Sequence, residues 1–474
     1  MNKVLAMVSS ALVVAGCATQ VPQSLPSRML PPSFTGTSPE GQQTWPDAAW
    51  FSGFGDARLT ALVVKAQADN RDIAVAAARI LEAQAQSHIQ RAALLPQVGA
   101  QVNHLNDSCR GQSCTNFDTA NAYTVSFNAS YELDVWGLAR DNLRAANETL
   151  KSAHFAQQSV ALTVTANVVD QYLNVLALRD RIAIATEYIA AINSILDVIK
   201  LRVTAGADSH LDLAREQAQF EDVQAQLIRL ETTEKQTLFS LAVLLGEPPE
   251  GFDVEAQNLQ GILAPTVRAG LPSDLLLRRP DIAQAEANLA SAHANLDAAR
   301  AAFLPSISLT GQGGFISTTL STLLRASNFG TSYGVNLLQT LFDGGTLVGR
   351  RRLADATQAQ LVASSQSAVL NAYADVEAAL VEVANSRLAE EHLQREIAAA
   401  REAFQISQLQ YRQGVTDLLN VLQAQQTLFS AQDQLAQAAL ASRQASVHLF
   451  EALGGGWQES PADRTQFTPV SSTP

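Results

Sequence analysis

Polar and apolar positions change period along this chain, and the changes come in the same order twice. From Asp56 to Leu95 there is no glycine or proline, and Leu59, Leu62, Val63 and Ala66 fall at the spacing of one helix face. Pro96 ends that helix. The period then drops to two. Tyr123, Val125, Phe127, Ala129, Tyr131 and Leu133 are apolar, and Thr124, Ser126, Asn128, Ser130 and Glu132 between them are polar. This alternation predicts a strand over about 122–133, paired with one over about 98–106, each with one face in an apolar medium. Runs of about 9–11 residues are also the length of tilted transmembrane strands. The helical period then returns. Leu138 to Ala205 is 68 residues without glycine or proline. A helix of that length reaches about 100 Å, and it needs coiled-coil-like packing. Gly206 ends it, and Asp208 and Ser209 open a second helix that runs to Leu245.

The second half repeats this order. Asp72–Pro96 and Asp281–Pro305 are both 25 residues long and share 12 identities, including Arg91-Ala92-Ala93 on Arg300-Ala301-Ala302. Further on, Gly206, Leu211 and Gln217 fall on Gly414, Leu419 and Gln425. The chain is therefore read as tandem copies of one unit. The first repeat spans 56–245, a linker spans 246–280, and the second repeat spans 281–457. In the second copy, strands are expected over about 306–317 and 332–341. Another long helix follows from Arg350 to Gln413, Gly414 turns the chain, and Asp417 stands near the start of the last helix. Each repeat thus reads helix, β-hairpin, very long helix, turn, helix, a mainly α fold with a β portion.

The amino terminus changes the picture next. Lys3 precedes a short apolar run, Val4 to Val14, too short to span a membrane. Val14-Ala15-Gly16-Cys17 resembles a bacterial lipobox. That resemblance implies a lipoprotein signal peptide over 1–16 and covalent lipid (diacylglycerol and N-acyl chains) on Cys17. Ala18 in the next position implies sorting to the outer membrane. Residues 17–55 are rich in Pro, Ser, Thr and Gly and read as a tether, with Trp45, Trp50 and Phe51 pinning its end. Residues 458–474 read as a disordered tail. In an exported chain, Cys109 and Cys114 are expected to close a small disulfide loop. His104 is near them, but a metal site would need further ligands. A net charge of −13 argues against a nucleic-acid partner. Charged residues make up only 16%, and no catalytic grouping, phosphate loop or metal spacing stands out, so the chain is not expected to be an enzyme.

Open sheet edges are not tolerated in lipid. Four strands per chain fall short of the smallest membrane barrels, which have about eight. Copies of the chain must therefore share a barrel: two would close a filled one, three would open a lumen. The long helices exceed a hydrocarbon core of about 30 Å. They must project from the side on which the strands begin and end, which is the lipid-anchor side, the periplasm.

Five motifs carry a resemblance. They are Arg278-Arg279-Pro280-Asp281-Ile282, Phe303-Leu304-Pro305-Ser306-Ile307, Tyr131-Glu132-Leu133-Asp134-Val135-Trp136-Gly137, Leu341-Phe342-Asp343-Gly344-Gly345 and Ala452-Leu453-Gly454-Gly455-Gly456-Trp457. Together they are similar to the outer-membrane efflux protein family, the TolC-like channels, in its NodT-like lipoprotein branch. The resemblance implies a homotrimer with a twelve-stranded transmembrane β-barrel and a periplasmic α-helical barrel. It also implies a periplasmic adaptor protein and an inner-membrane pump of the resistance–nodulation–division type as partners, with small-molecule efflux as the function. The same fold serves protein secretion and metal export. A lipid-anchored coiled-coil scaffold without a pore is the reading from a different class. Trp136 and Phe342 stand where membrane-interface aromatics belong. At the helix turns, Asp208 and Asp417 are candidates for a carboxylate gate, with Arg202 and Arg412 as latching partners. The plainer reading of the two aspartates is helix capping.

Overall fold

The computed structural model describes residues 47–107, 120–206, 209–256, 258–265 and 278–457, together with Pro31 and Phe34. Cys17, Cys109, Cys114 and Asp208, the signal peptide, most of the tether and the tail lie outside the described residues.

After a 3-10 turn at Trp50–Phe54, the helices are α1 (Ala57–Asp69), α2 (Arg71–Ala92), α3 (Leu138–Thr204), α4 (His210–Leu244), α5 (Pro280–Ala301), α6 (Thr346–Arg412) and α7 (Leu418–Ala452). The strands are β1 (Gln97–Asp107), β2 (Ala120–Glu132), β3 (Ser306–Ser317) and β4 (Phe329–Leu338). The duplication is visible in the lengths. Both α3 and α6 have 67 residues, α4 and α7 have 35, and α2 and α5 have 22. Helix α3 packs along α4, and α6 along α7; α5 lies between α3 and α6, and α2 lies against α3.

Three features depart from the sequence reading. The stretch from Asp56 is broken at Asn70, where the backbone turns extended (φ −63°, ψ 132°). Asn70 Oδ1 accepts the backbone N–H groups of Asp72 and Ile73 at 2.9 and 3.1 Å, and Nδ2 donates to the Leu244 carbonyl at 2.8 Å. One amide thus starts α2 and ties it to the end of α4, which outweighs the helix propensity of the alanines around it. The last strand runs three residues earlier than expected, Phe329–Leu338 rather than 332–341. Gln339 leaves the ladder because its amide donates to the carbonyls of Phe303 and Thr340. Helix α6 begins at Thr346, before Gly349, because Asp343 caps it. The Asp343 carboxylate accepts from the backbone N–H groups of Gly345 at 2.9 Å and Leu347 at 2.7 Å.

The largest apolar core lies midway along the long helices. Val168, Val169, Tyr172, Leu173 and Leu176 of α3 are fully buried against Phe54, Leu59, Val63, Leu241 and Leu245. Trp50 stacks on Phe450 with ring centroids 4.8 Å apart, which seats the start of the described chain on α7. Tyr172 donates to Asp56 at 2.5 Å. Burial alone would raise the Asp56 pKa. Hydrogen bonds from Tyr172 and Arg58 and the Arg58 charge outweigh it and hold Asp56 below the usual range. The segment after α4 is clamped by Arg179, which ion-pairs with Glu234 and Asp253 and donates to the carbonyls of Val254 and Ala256.

Candidate channel wall and periplasmic gate

The four strands form one antiparallel sheet in the order β1-β2-β3-β4. Register decides what each face presents. Val98, Ala100 and Val102 of β1 stand opposite Ala129, Phe127 and Val125 of β2. Those residues, with Tyr131, stand opposite Gly311, Gly313, Phe315 and Leu309 of β3. Ile307, Leu309 and Gly311 in turn face Leu337, Val335 and Tyr333 of β4. An apolar band thus crosses all four strands on one face, giving way to His104, Ser317 and Thr331 toward the end away from the helices. The other face carries Gln101, Asn103, Thr124, Ser126, Asn128, Thr310, Gln312, Ser332 and Asn336. Tyr333 is 95% exposed and Val335 72%. Exposure of such side chains on a regular sheet suits a lipid-facing surface, with the polar face toward water. The outer edges of β1 and β4 have no partner among the described residues.

The strands enter the long helices through matched turns. Asp134 accepts the backbone N–H groups of Ala139 and Arg140 at 3.1 and 2.9 Å. Asp343 plays the same part for α6. Spacing singled out neither aspartate as a cap, because each acts from outside its helix across a left-handed glycine, Gly137 or Gly345. Trp136 is half exposed, and its indole N–H donates to the Pro305 carbonyl at 2.7 Å, joining the two repeats. Phe342, its counterpart, is 90% exposed.

At the far end, Gly206 and Gly414 both adopt φ 71°, the left-handed turn that closes each long helix. The Val415 N–H reaches back to the Gln410 carbonyl at 2.9 Å. The two returning helices then start differently. In the first repeat Ser209 is the cap: the Asp212 N–H donates to Ser209 Oγ at 3.2 Å, and the Ser209 hydroxyl donates to the Asp212 carboxylate at 2.7 Å. In the second, Asp417 occupies the cap position, but its side chain makes no capping hydrogen bond and is exposed. Arg202 lies over the Tyr411 ring, 4.8 Å from its centroid, and so joins the two turns. Arg412 is exposed. Beside these turns, Ile195, Ile199, Tyr411, Leu418 and Val421 form a small apolar cluster.

The sequence reading missed the buried polar groups between the tip and the middle core. Glu216 on α4 is 1% exposed, and its Oε1 has no hydrogen-bond partner among the described residues. Burial pushes its carboxyl up from 4.5 to about 7. Its signal was present: it shares the apolar stripe of Leu213, Phe220 and Val223 at helical spacing, where a carboxylate is out of place. Tyr188 stacks on Phe429 in the same region, with centroids 4.2 Å apart. Higher up, His448 of α7 lies 3.4 Å from Asp170 of α3 and 3.2 Å from Glu382 of α6. The hydrogen bond to Asp170, followed by that to Glu382, outweighs burial and lifts the imidazole to about 9. It is therefore an imidazolium at neutral pH, bridging three helices.

A two-faced sheet with unpaired edges, carried on helices of 67 residues, defines a membrane-inserted channel subunit with a long helical extension. The family profile described as outer membrane efflux protein matches residues 62–247 and 271–455. The chain belongs to this outer-membrane efflux protein family, which is a transport family and not an enzyme family, and its place is the outer membrane, with the helices extending into the periplasm. It is 35% identical over 469 residues to the pyoverdine export outer membrane protein OpmQ of Pseudomonas aeruginosa, covering 96% of this chain and 97% of the relative. It is 28% identical over 455 residues to the cation efflux system protein CusC of Escherichia coli K12, covering 94% and 98%. Among solved structures, the open state of the Neisseria gonorrhoeae MtrE outer membrane channel superposes with a TM-score of 0.83 at 27% identity, covering 92% of this chain and 98% of MtrE.

Proposed function

We propose that three copies of this chain close a twelve-stranded barrel and a helical tube, forming the passive exit duct of a tripartite efflux system. A periplasmic adaptor and an inner-membrane pump of the resistance–nodulation–division type deliver small molecules to its periplasmic end. The observation that carries this reading is the sheet: an apolar band across one face, a mainly polar opposite face and two edges with no partner among the described residues. Backbone groups cannot be left unpaired in hydrocarbon, so the free edges demand neighbouring copies. A polar inner face suits a water-filled lumen, which needs more than about eight strands. The relatives favour small solutes as cargo, since OpmQ is named for pyoverdine export and CusC for cation efflux.

In this reading Cys17 carries the lipid that holds the chain to the membrane, and Cys109 and Cys114 close a disulfide in the hairpin loop distal to the helices. Asp417 and Asp208 ring the periplasmic mouth as a gate, with Arg202 and Arg412 beside them. The absence of a side-chain cap at Asp417 favours gating there over capping. Accumulation of a fluorescent dye, several antibiotics and siderophore-like chelates is the test, in cells lacking the protein and in complemented cells. Higher accumulation that the gene restores to normal supports the duct. Unchanged accumulation of every compound, in a strain with no second exit duct, contradicts it.

A further inference from the structure

The duplication makes the junction between the two repeats a template for the junction between copies, if the copies form the closed ring proposed above. Residues of α2 map onto α5 by adding 209, and residues of α3 onto α6 by adding 208. Within the chain, α5 is held between α3 and α6, and nine of its residues are buried. Its twin α2 packs chiefly on α3, and two of its residues are buried. Val75, Leu81 and Ile89 of α2 are each more than half exposed. That bare face and the bare face of α6, with Leu353 69% exposed, are covered when α6 of one copy takes up α2 of the next. The strands agree. Transferring the β2–β3 register to β4–β1 sets Leu337 opposite Val102 and Asn336 opposite Asn103 of the next copy, apolar on apolar and polar on polar.

One charged cluster does not survive this transfer. Just below the sheet, between α3 and α5, Arg144 pairs with Asp297 at 2.7 Å and with Asp141 at 3.1 Å, and Arg300 pairs with Asp297 at 3.2 Å. Two arginines are balanced by two carboxylates. Between copies the arginines persist as Arg352 and Arg91, but Asp141 becomes Gly349 and Asp297 becomes His88. Arg350 and Arg351 stand beside Arg352, and the nearby Asp355 pairs with Arg351 at 3.7 Å. Asp343 is engaged by backbone N–H groups. Among the described residues Arg91, Arg350 and Arg352 form no ion pair. In a chain of net charge −13, the seam at this level is thus left with Arg91, Arg350 and Arg352 and one neighbouring carboxylate, Asp355, which Arg351 already engages.

We propose that this seam binds the phosphate of an anionic phospholipid from the periplasm-facing leaflet, held by Arg352 of one copy and by Arg91 and His88 of the next. Planar guanidinium groups suit phosphate oxygens. The position also fits. The Arg352 backbone is about 9 Å along α6 from Thr346, just beyond a headgroup layer of roughly 5–8 Å, and its long side chain, which leans toward the helix N-terminus, reaches back into that layer. The site does not exist in one copy, because each copy supplies half of it.

The full-length particle, extracted and purified, is reconstituted in phosphatidylcholine vesicles with or without phosphatidylglycerol. Retained lipid is counted by mass spectrometry, along with particle mass. The expected result is one phosphatidylglycerol per seam for the wild type, and roughly fivefold weaker retention for Arg352→Gln. In the double variant Gly349→Asp with His88→Asp, which restores both carboxylates, retention is lost while the particle stays assembled. Placement of the seam is checked by disulfide formation in a Cys109→Ser, Cys114→Ser background. Thr149→Cys with Ser291→Cys, whose hydroxyls lie 3.0 Å apart, closes within a chain. Thr357→Cys with Glu82→Cys, their counterparts, links chains. A trimer that retains no phosphatidylglycerol, or retains it equally in Arg352→Gln, overturns this site and leaves the duct standing. Retention abolished by millimolar inorganic phosphate at constant ionic strength overturns the lipid assignment. A particle that is not a trimer overturns the duct reading itself.

Discussion

Glu216 makes the tip of the helical bundle sensitive to pH, and the size of the effect follows from its burial. The residue is 1% exposed, and burial raises its carboxyl from 4.5 to about 7. The packed tip holds a proton that an opened tip releases. Stability is therefore greatest in acid, falls as pH rises through 4.5, and levels off above about 7, where the loss is about 3 kcal/mol. Between pH 5.5 and 8.5 that amounts to a roughly 30-fold rise in the population of locally opened tips. Hydrogen exchange of the α4 amides around Glu216 in the reconstituted particle, with intrinsic exchange rates divided out, reads this population directly. The wild type should lose protection by that factor across the range, and Glu216→Gln should be flat and well protected at both ends. A flat wild-type profile, or the same slope in Glu216→Gln, would refute the reasoning.

Three further outcomes follow from contacts already described. Gly314→Ala places a methyl group 2.2 Å from the Val125 carbonyl oxygen and 2.6 Å from Ser126 Cα, so β2 and β3 must separate; the yield of heat-modifiable, membrane-inserted particle should collapse. Arg179→Ala leaves Glu234 and the Val254 and Ala256 carbonyls without their cation, a loss of about 3–5 kcal/mol. Limited proteolysis should then cut the segment 246–265 well before the helices. Tyr172→Phe removes a donor from the buried Asp56 carboxylate and should lower stability by about 1.5–3 kcal/mol, seen as a reduced unfolding midpoint.

The architecture was legible wherever a pattern had no competing interpretation. The 12 identities between Asp72–Pro96 and Asp281–Pro305 exposed the duplication, and glycine-free runs bracketed the first 67-residue helix and all but the first turn of the second, which starts before Gly349. Strict alternation from Tyr123 marked β2. In the second hairpin Gly311, Gly313, Gly330 and Gly334 dilute the alternation, and there the strand boundary was misplaced by three residues. Asn70 was invisible because alanine-rich helix lies on both sides, and only the contact with the Leu244 carbonyl makes the break worthwhile. Asp208, Ser209 and Asp417 all read as possible caps, yet only Ser209 has an acidic residue three positions on, Asp212, to complete a capping box. The polar groups of the tip depend on which helices meet, and one chain's periodicity does not say that.

Electrical conductance of the purified particle in a planar bilayer decides whether the chain forms a gated duct. Discrete channel steps of low open probability are expected for the wild type, and a markedly higher open probability for Asp417→Ala. Assembled particles that carry no current in either form, at any voltage, would contradict a transmembrane duct with a gate at its periplasmic mouth.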